Sequence, residues 1–176
     1  ESADWTLTVS SEVLDEDYSK TVRCYPLEAL SSAQRNFKDP SYKKIWVMTH
    51  RAHTTDPSVP ENSISAVKAA IAAGADAVEC DTQRTKDGEI VICHDLSINR
   101  TTNGAGDVPS LTLAEIKSYK LLDRNGNVTN ETMPTLEEFL KACRGKIYVD
   151  LDYSPRTAST AEVMAVVEKL GMMEQV

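Results

Sequence analysis

Two carboxylates stand two residues apart in a short apolar stretch of the chain, at Glu79 and Asp81. Side chains alternate along a β-strand, so both carboxylates would face one side while Val78 and Cys80 face the other. Neighbouring carboxylates on an apolar strand are costly to desolvate unless they bind a cation or take part in proton transfer. Taken alone, the pair is equally typical of a solvated strand end, so its meaning depends on the residues around it.

Further polar residues follow the same pattern along the chain. Four apolar segments are predicted as strands, at residues 45–48, 76–83, 90–93 and 146–152. Polar side chains stand at or near their carboxyl ends: His50, Glu79 with Asp81, His94, and Asp150. In a parallel α/β sheet or barrel these ends converge on one side, where ligands bind. The pattern therefore predicts one site that is built from two histidines and three acids.

Helix signals alternate with the predicted strands. Apolar residues recur at helical spacing from Ile64 to Ile71, and Gly74 supplies a stop signal. Three capping boxes each predict the start of a further helix, at Thr112 with Glu115, Thr135 with Glu138, and Ser159 with Glu162. Alternating helices and strands predict an α/β fold with a parallel sheet.

Composition and charge exclude several classes of function. The 176 residues are enough for one domain with a core. The net charge of −8, from 27 acidic and 19 basic residues, argues against a nucleic-acid surface. No apolar run approaches the roughly 20 residues of a transmembrane segment. The four cysteines show no C-x-x-C spacing, which argues against a zinc cluster.

The first quarter of the chain follows a different pattern. Residues 1–44 contain a predicted short strand around residues 5–9 and a predicted helix over residues 27–37. We expect this segment to be an N-terminal extension that packs on the main domain, residues 45–176. Because the first residue is Glu1 and not Met, we expect a processed or trimmed product. A periplasmic or secreted location after loss of a signal peptide is the corresponding expectation.

Seven short motifs follow one another in the main domain: His50-Arg51, Pro60–Ser63, Gly74–Asp81, Thr85–Gly88, Val91–Asp95, Arg100–Thr102 and Met133–Glu138. Their order and spacing over residues 45–152 resemble the glycerophosphodiester phosphodiesterase family. The resemblance implies a TIM (β/α)8-type barrel, which takes about 250 residues. With four predicted strands, this chain would cover roughly the first half. Because half a barrel leaves two sheet edges open, we expect the remainder to come from the same chain or from a partner chain.

The resemblance also implies a reaction and roles for individual residues. The family hydrolyses glycerophosphodiesters, small-molecule substrates, to glycerol phosphate and an alcohol with the help of a divalent cation. His50 and His94 would form an acid–base pair, and Arg51 would bind the phosphate. Glu79, Asp81 and Asp150 would be metal ligands. Glu61 and Asn62 would contact the metal or its ligands. Carboxylate oxygens suit Ca²⁺ or Mg²⁺, and a histidine, with an ordinary pKa of about 6.5, can accept or donate a proton near neutral pH.

Two residues depart from the family's usual pattern. Ala52 stands where a glycine usually follows His-Arg, which matters only if the turn needs a positive φ. Asp152 stands where a lysine is usual, so a cation expected near the phosphate is replaced by an acid. These departures motivate an alternative, a non-catalytic or altered-specificity member that binds a phosphodiester or sugar headgroup. Both histidines and the acids are present, which favours the enzyme, because a pure binder needs no proton carriers.

Overall fold

The computed structural model of the protein describes residues 3–9, 18–24, 46–152 and 157–176. The chain divides into two compact units, Glu1–Ile45 and Trp46–Val176. In the first unit, β1 (Ala3–Val9) pairs antiparallel with β2 (Tyr18–Cys24). The short strand predicted around residues 5–9 is confirmed as part of β1. The helix predicted over residues 27–37 lies outside the described residues, and the packing of residues 1–44 on the main domain stays a prediction.

The second unit is built around a small sheet. Its strands are β3 (Met48–Thr49), β4 (Ala77–Arg84), β5 (Ile90–Ile92) and β6 (Tyr148–Asp152). Both β3 and β6 pair with β4 in parallel. The register of β6 on β4 places Glu79 opposite Asp150 and Asp81 opposite Asp152. An α/β fold with parallel strands is therefore confirmed.

The direction of β5 differs from the expectation of a wholly parallel sheet. This strand pairs antiparallel with the last three residues of β4. The two strands are joined by the tight turn at 86–88, and a connection this short can join only antiparallel neighbours, because a parallel crossover needs about a dozen residues. The hairpin returns the chain to the middle of β4, where the amide of Cys93 donates a hydrogen bond to the carbonyl of Asp81 at 2.9 Å.

In the part of the chain that the structure describes, four α-helices accompany the sheet: α1 (Ile64–Ala73), α2 (Leu113–Ser118), α3 (Leu136–Cys143) and α4 (Thr160–Lys169). The three predicted capping boxes are confirmed at the starts of α2, α3 and α4. Helix α1 ends at Gly74, whose φ of 86° is a left-handed conformation that glycine adopts without steric cost. Among the described residues, no helix combines the length and the apolar character that a membrane crossing requires.

Helices α1, α3 and α4 cover one face of the parallel strands. Val67 of α1, Phe139 of α3 and Val167 of α4 are fully buried in one core cluster with Val78 and Val149 of the sheet. A second cluster lies around the long loop that follows β5 and contains Ile98, Val108, Ile116 and Met133. The first cluster fixes the strands, and the second fixes the loop that follows His94.

The other face of the parallel strands carries large apolar side chains beside the acids. Trp46 and Met48 are 57% and 51% exposed, and the ring centroid of Trp46 lies 5.0 Å from that of Tyr148. Because side chains alternate, Glu79 and Asp81 point to this same face of β4. The acids lie toward the carboxyl end of the strand, and the apolar side chains lie toward its start.

Candidate active site

The carboxyl ends of the three parallel strands meet at one edge of the sheet. Strand β3 leads directly into a tight turn over His50–Ala52, which places His50 and Arg51 at this edge. His94 reaches the same edge by a different route, because the β4–β5 hairpin returns the chain to Asp81. Two loop segments and two strands thus deliver their polar side chains to one place.

Three acids at this edge form a compact group. One ligand oxygen from each of Glu79, Asp81 and Asp152 lies within 4.8 Å of the other two. Glu79 and Asp81 are buried, and Asp152 is exposed. Asp150, expected from the resemblance to be the third metal ligand, lies opposite Glu79 and outside this group. It stands two residues before Asp152 on the same face of β6, and an aspartate reaches one methylene less far than a glutamate does.

The charge of this group is only partly compensated. Burial raises the pKa of Glu79, and the negative charges of Asp81 and Asp152 raise it further. The backbone N–H of Arg51 donates a hydrogen bond to Glu79 Oε2 at 2.7 Å and acts in the opposite direction on this pKa. The Nε2 atom of His50, a largely exposed residue, lies 3.9 Å from the same oxygen. A bound cation would remove the cost of holding these acids together.

Two buried polar atoms near Asp81 lack hydrogen-bond partners among the described residues. They are Nε of Arg51 and Oδ1 of Asn62. Arg51 Nε lies 3.9 Å from Asp81 Oδ2, too far for a hydrogen bond, while Asn62 Nδ2 donates to that oxygen at 3.1 Å. Buried polar groups in folded proteins are usually paired. The donor and the acceptor therefore leave hydrogen-bonding capacity for a bound group beside the acids.

The turn that carries Arg51 is strained. Arg51, Ala52 and Asn62 have φ values of 53°, 52° and 54°, in the left-handed region that side chains other than glycine rarely adopt. The amide of Asn62 donates to the carbonyl of Arg51 at 2.9 Å and ties the two segments together. The turn at Ala52 therefore does need a positive φ. Alanine is strained there, whereas the glycine that is usual in the family would not be.

A chain of ion pairs links His94 to the loop that precedes α1. The Nδ1 atom of His94 lies 2.7 Å from Asp95 Oδ1. Arg100 donates to Asp95 Oδ2 from Nε at 2.7 Å and to Glu61 from Nη1 and Nη2 at 2.8 and 2.7 Å. The hydrogen bonds from Arg100 hold the pKa of Asp95 well below its ordinary value. Burial alone would raise the pKa of Glu61, but Arg100, with Arg51 and His53, lowers it overall.

Asp95 and Arg100 lie in loops and within two of the seven motifs of the sequence, but no periodicity predicts the ion pairs that they form. Gln83 was missed from the sequence. Gln83 is fully buried, and its Nε2 donates to the carbonyl oxygens of Asp95 and, at 3.3 Å, of His94. It continues the alternation of Glu79 and Asp81 by one step, so the strand pattern could have revealed it. His53, which belongs to none of the seven motifs, has a pKa lowered by burial, and its Nε2 lies 3.5 Å from Glu61 Oε2.

Comparison with known proteins identifies the family to which the chain belongs. The model of the Glycerophosphoryl diester phosphodiesterase family matches residues 50–175. A glycerophosphodiester phosphodiesterase from Caldanaerobacter subterraneus subsp. tengcongensis is 41% identical over 107 residues, which cover 60% of this chain and 43% of that protein. Glycerophosphodiester phosphodiesterase 1 from Bos taurus is 33% identical over 103 residues, covering 57% of this chain and 30% of the bovine protein. The chain therefore spans less than half the length of these relatives.

Solved structures agree with the sequence matches. A glycerophosphoryl diester phosphodiesterase from Parabacteroides distasonis is similar with a TM-score of 0.64 and 31% identity, over 72% of this chain and 43% of that one. An Oleispira antarctica phosphodiesterase, solved in complex with the product sn-glycerol-3-phosphate, is similar with a TM-score of 0.59 and 28% identity. That match covers 72% of this chain and 52% of the Oleispira chain.

Proposed function

Because this chain belongs to the glycerophosphoryl diester phosphodiesterase family, we propose that it hydrolyses glycerophosphodiesters to glycerol phosphate and an alcohol. The proposal includes a (β/α)8 barrel, to which residues 46–176 contribute the first strands and which further strands complete. The relatives that this chain matches are more than twice as long as the matched segment, which supports such a completion. The exposed side chains of Trp46 and Met48 then belong to the interior of that barrel.

One observation carries the proposal, namely the convergence of two histidine-bearing segments on a compact group of acids. His50 lies 3.9 Å from Glu79, and the residue before His94 is hydrogen-bonded to Asp81. Phosphodiester hydrolysis needs one group that accepts a proton from the attacking oxygen and another that donates a proton to the leaving alkoxide. Two histidines beside a site for the phosphate can fill both roles.

The group of Glu79, Asp81 and Asp152 supports one bound Ca²⁺ or Mg²⁺. Its donors are hard carboxylate oxygens, the kind that both ions prefer. The raised pKa of Glu79 and the unpartnered Oδ1 of Asn62 also fit a site that lacks positive charge. When bound, the cation would neutralise phosphate charge and help to orient the attacking oxygen. Asp152 thus takes part in metal binding at the position where a lysine was expected.

Arg51 and His94 contribute contacts that belong to the chain itself. The guanidinium of Arg51 lies 3.5 Å from Glu61 and 3.9 Å from Asp81. Its unpartnered Nε can donate to a phosphate oxygen. The pairing of His94 Nδ1 with Asp95 leaves Nε2 to face the substrate. The two nitrogens then have separate tasks, one to orient the ring and one to move the proton.

The proposal is tested by turnover of a panel of glycerophosphodiesters by the full-length protein, with and without Ca²⁺, Mg²⁺ and a chelator. We expect turnover that the chelator abolishes, and a loss of about 10²–10⁴-fold in kcat for each of His50→Ala and His94→Ala. Turnover that resists the chelator would contradict the metal dependence, and full turnover in both variants would contradict the acid–base pair. Headgroup binding without turnover would favour the non-catalytic alternative.

A further inference from the structure

The side chain of Arg100 joins two loops that are distant in the sequence. Its guanidinium donates two hydrogen bonds, of 2.7 and 2.8 Å, to Glu61 in the loop before α1. It also donates to Asp95, in the loop after β5, from Nε at 2.7 Å and from Nη2 at 3.1 Å. Only the planar fork of an arginine can meet two carboxylates in this way, because a lysine offers a single point charge.

Each of these carboxylates holds a different side chain of the proposed site. Asp95 Oδ1 lies 2.7 Å from His94 Nδ1 and so orients the imidazole. Glu61 Oε1 lies 3.5 Å from Arg51 Nη1. Gln83 fixes the backbone carbonyls of His94 and Asp95, so the backbone is held independently and the orientation of the ring depends on the Asp95 carboxylate.

We propose that Arg100 is a positioning residue that orients His94 through Asp95 and Arg51 through Glu61. It contacts neither His94 nor Arg51 directly in any hydrogen bond or ion pair of the described residues. These two contact paths, called branches below, should affect different steps. The imidazole of His94 moves the proton, and the guanidinium of Arg51 binds the phosphate. The kinetic part of this inference rests on the proposed function, whereas the orientation of His94 does not.

A simple loop brace would behave differently, and the chain offers a matched comparison. Arg84 forms an ion pair with Glu162 at 3.0 Å, and its side chain is 47% exposed, against 48% for Arg100. The Arg84 pair joins the end of β4 to α4 and involves no candidate reactive side chain. Arg84→Gln therefore removes an arginine pair of similar exposure without disturbing His94 or Arg51.

The orientation is tested by ¹⁵N NMR of the histidine side chains in the full-length protein. In the wild type and in Arg84→Gln, we expect the proton of neutral His94 on Nδ1, facing Asp95. In Arg100→Gln, we expect a mixture of both tautomers, because the Asp95 carboxylate loses the hydrogen bonds that hold it in place. An unchanged His94 tautomer in Arg100→Gln would overturn the proposal, whether or not the protein turns over a phosphodiester.

The two branches are tested by steady-state kinetics on a glycerophosphodiester. We expect Asp95→Asn to lower kcat about 10–100-fold, Glu61→Gln mainly to raise KM, and Arg100→Gln to do both. In the Asp95→Asn background, Arg100→Gln should lower kcat by less than about threefold more, since coupled residues are not additive. Fully additive losses in kcat would contradict a common path through Asp95.

If Arg100→Gln does not fold, Arg100→Lys serves instead. It should lose one of the two branches, so that either kcat falls or KM rises. An Arg100→Lys variant that keeps both values would overturn the proposal.

Discussion

Two groups of acids at this site compensate their negative charge in different ways. The strand carboxylates are Glu79, Asp81 and Asp152, and the loop carboxylates are Glu61 and Asp95. Burial and the neighbouring acids raise the pKa of Glu79 in the first group. In the second group, hydrogen bonds from Arg100 lower the pKa of Asp95, and they outweigh burial at Glu61. The loop carboxylates thus share the close hydrogen bonds of Arg100, whereas the basic side chains nearest to Glu79 and Asp81, His50 and Arg51, each lie 3.9 Å away.

This difference separates a fixed scaffold from a site for a bound ion. Arg100 uses both sides of its guanidinium on protein carboxylates, so it stabilises geometry and has little left to offer a substrate. A divalent cation on the strand carboxylates would keep coordination positions for phosphate oxygens or water. Acids of the same type at one edge of the sheet therefore serve different purposes according to the cation that each group meets.

The largest effect that follows from this comparison is on cation affinity. Asp81→Asn removes a buried ligand of the strand group, and we expect Ca²⁺ or Mg²⁺ affinity to fall about 100-fold or more. Glu61→Gln removes a charge that Arg100 already compensates, so affinity should change by less than about fivefold. Isothermal titration calorimetry measures both. Equal losses in the two variants would mean that Glu61 is itself a metal ligand.

The two groups should also differ in how they affect stability without a cation. Glu79→Gln removes a charge that is only partly compensated, and its amide oxygen can still accept the hydrogen bond from Arg51. We therefore expect the free energy of unfolding in chelator to stay equal or rise. Glu61→Gln weakens charge-assisted hydrogen bonds and should lower it by about 1.5–3 kcal/mol. Urea unfolding in chelator gives both values, and a similar loss in both variants would remove the distinction.

The pH dependence of stability should follow the lowered pKa of Asp95. A carboxylate with a lowered pKa in the folded protein contributes stability that is fully present above its ordinary pKa of 3.8 and is lost as the pH falls further. The difference in melting temperature between the wild type and Asp95→Asn should therefore be constant from about pH 7 to pH 5 and shrink at more acidic pH. Thermal melts across this range test it, and a difference that grows in acid would contradict the Arg100 pairing.

The smallest expected effect concerns the strained turn beside Arg51. Ala52→Gly relieves a φ of 52°, but it also removes a fully buried methyl group. These two terms are each about 1 kcal/mol and oppose each other. We expect the free energy of unfolding to change by less than about 1 kcal/mol, with cation affinity unchanged. A large gain in either quantity would show that alanine distorts the site.

The strand part of the site could be predicted because it depends on local rules. Alternation along β4 puts Glu79 and Asp81 on one face whatever else the chain does. The capping boxes located three helices by equally local signals. The antiparallel direction of β5 was missed, although the short turn at 86–88 excludes a parallel connection.

Glu61, Asp95 and Arg100 lie in motifs of the sequence, but the ion pairs among them could not be predicted, because they join distant segments without a periodic signal. Arg100 and Glu61 are 39 residues apart, and only the folded loops bring them together. The position of Asp152 among the strand carboxylates, with Asp150 outside them, depends on register and on the reach of a short side chain. The register is not set by residue type.

The metal site is defined by which aspartate of β6 completes the strand carboxylates. Ca²⁺ and Mg²⁺ binding to Asp152→Asn and Asp150→Asn, measured by calorimetry on the full-length protein, compares two identical substitutions two residues apart. We predict a loss of affinity of about 100-fold or more for Asp152→Asn and less than about fivefold for Asp150→Asn. The reverse order would contradict the assignment of Asp152, and no cation binding by the wild type would contradict the metal site itself.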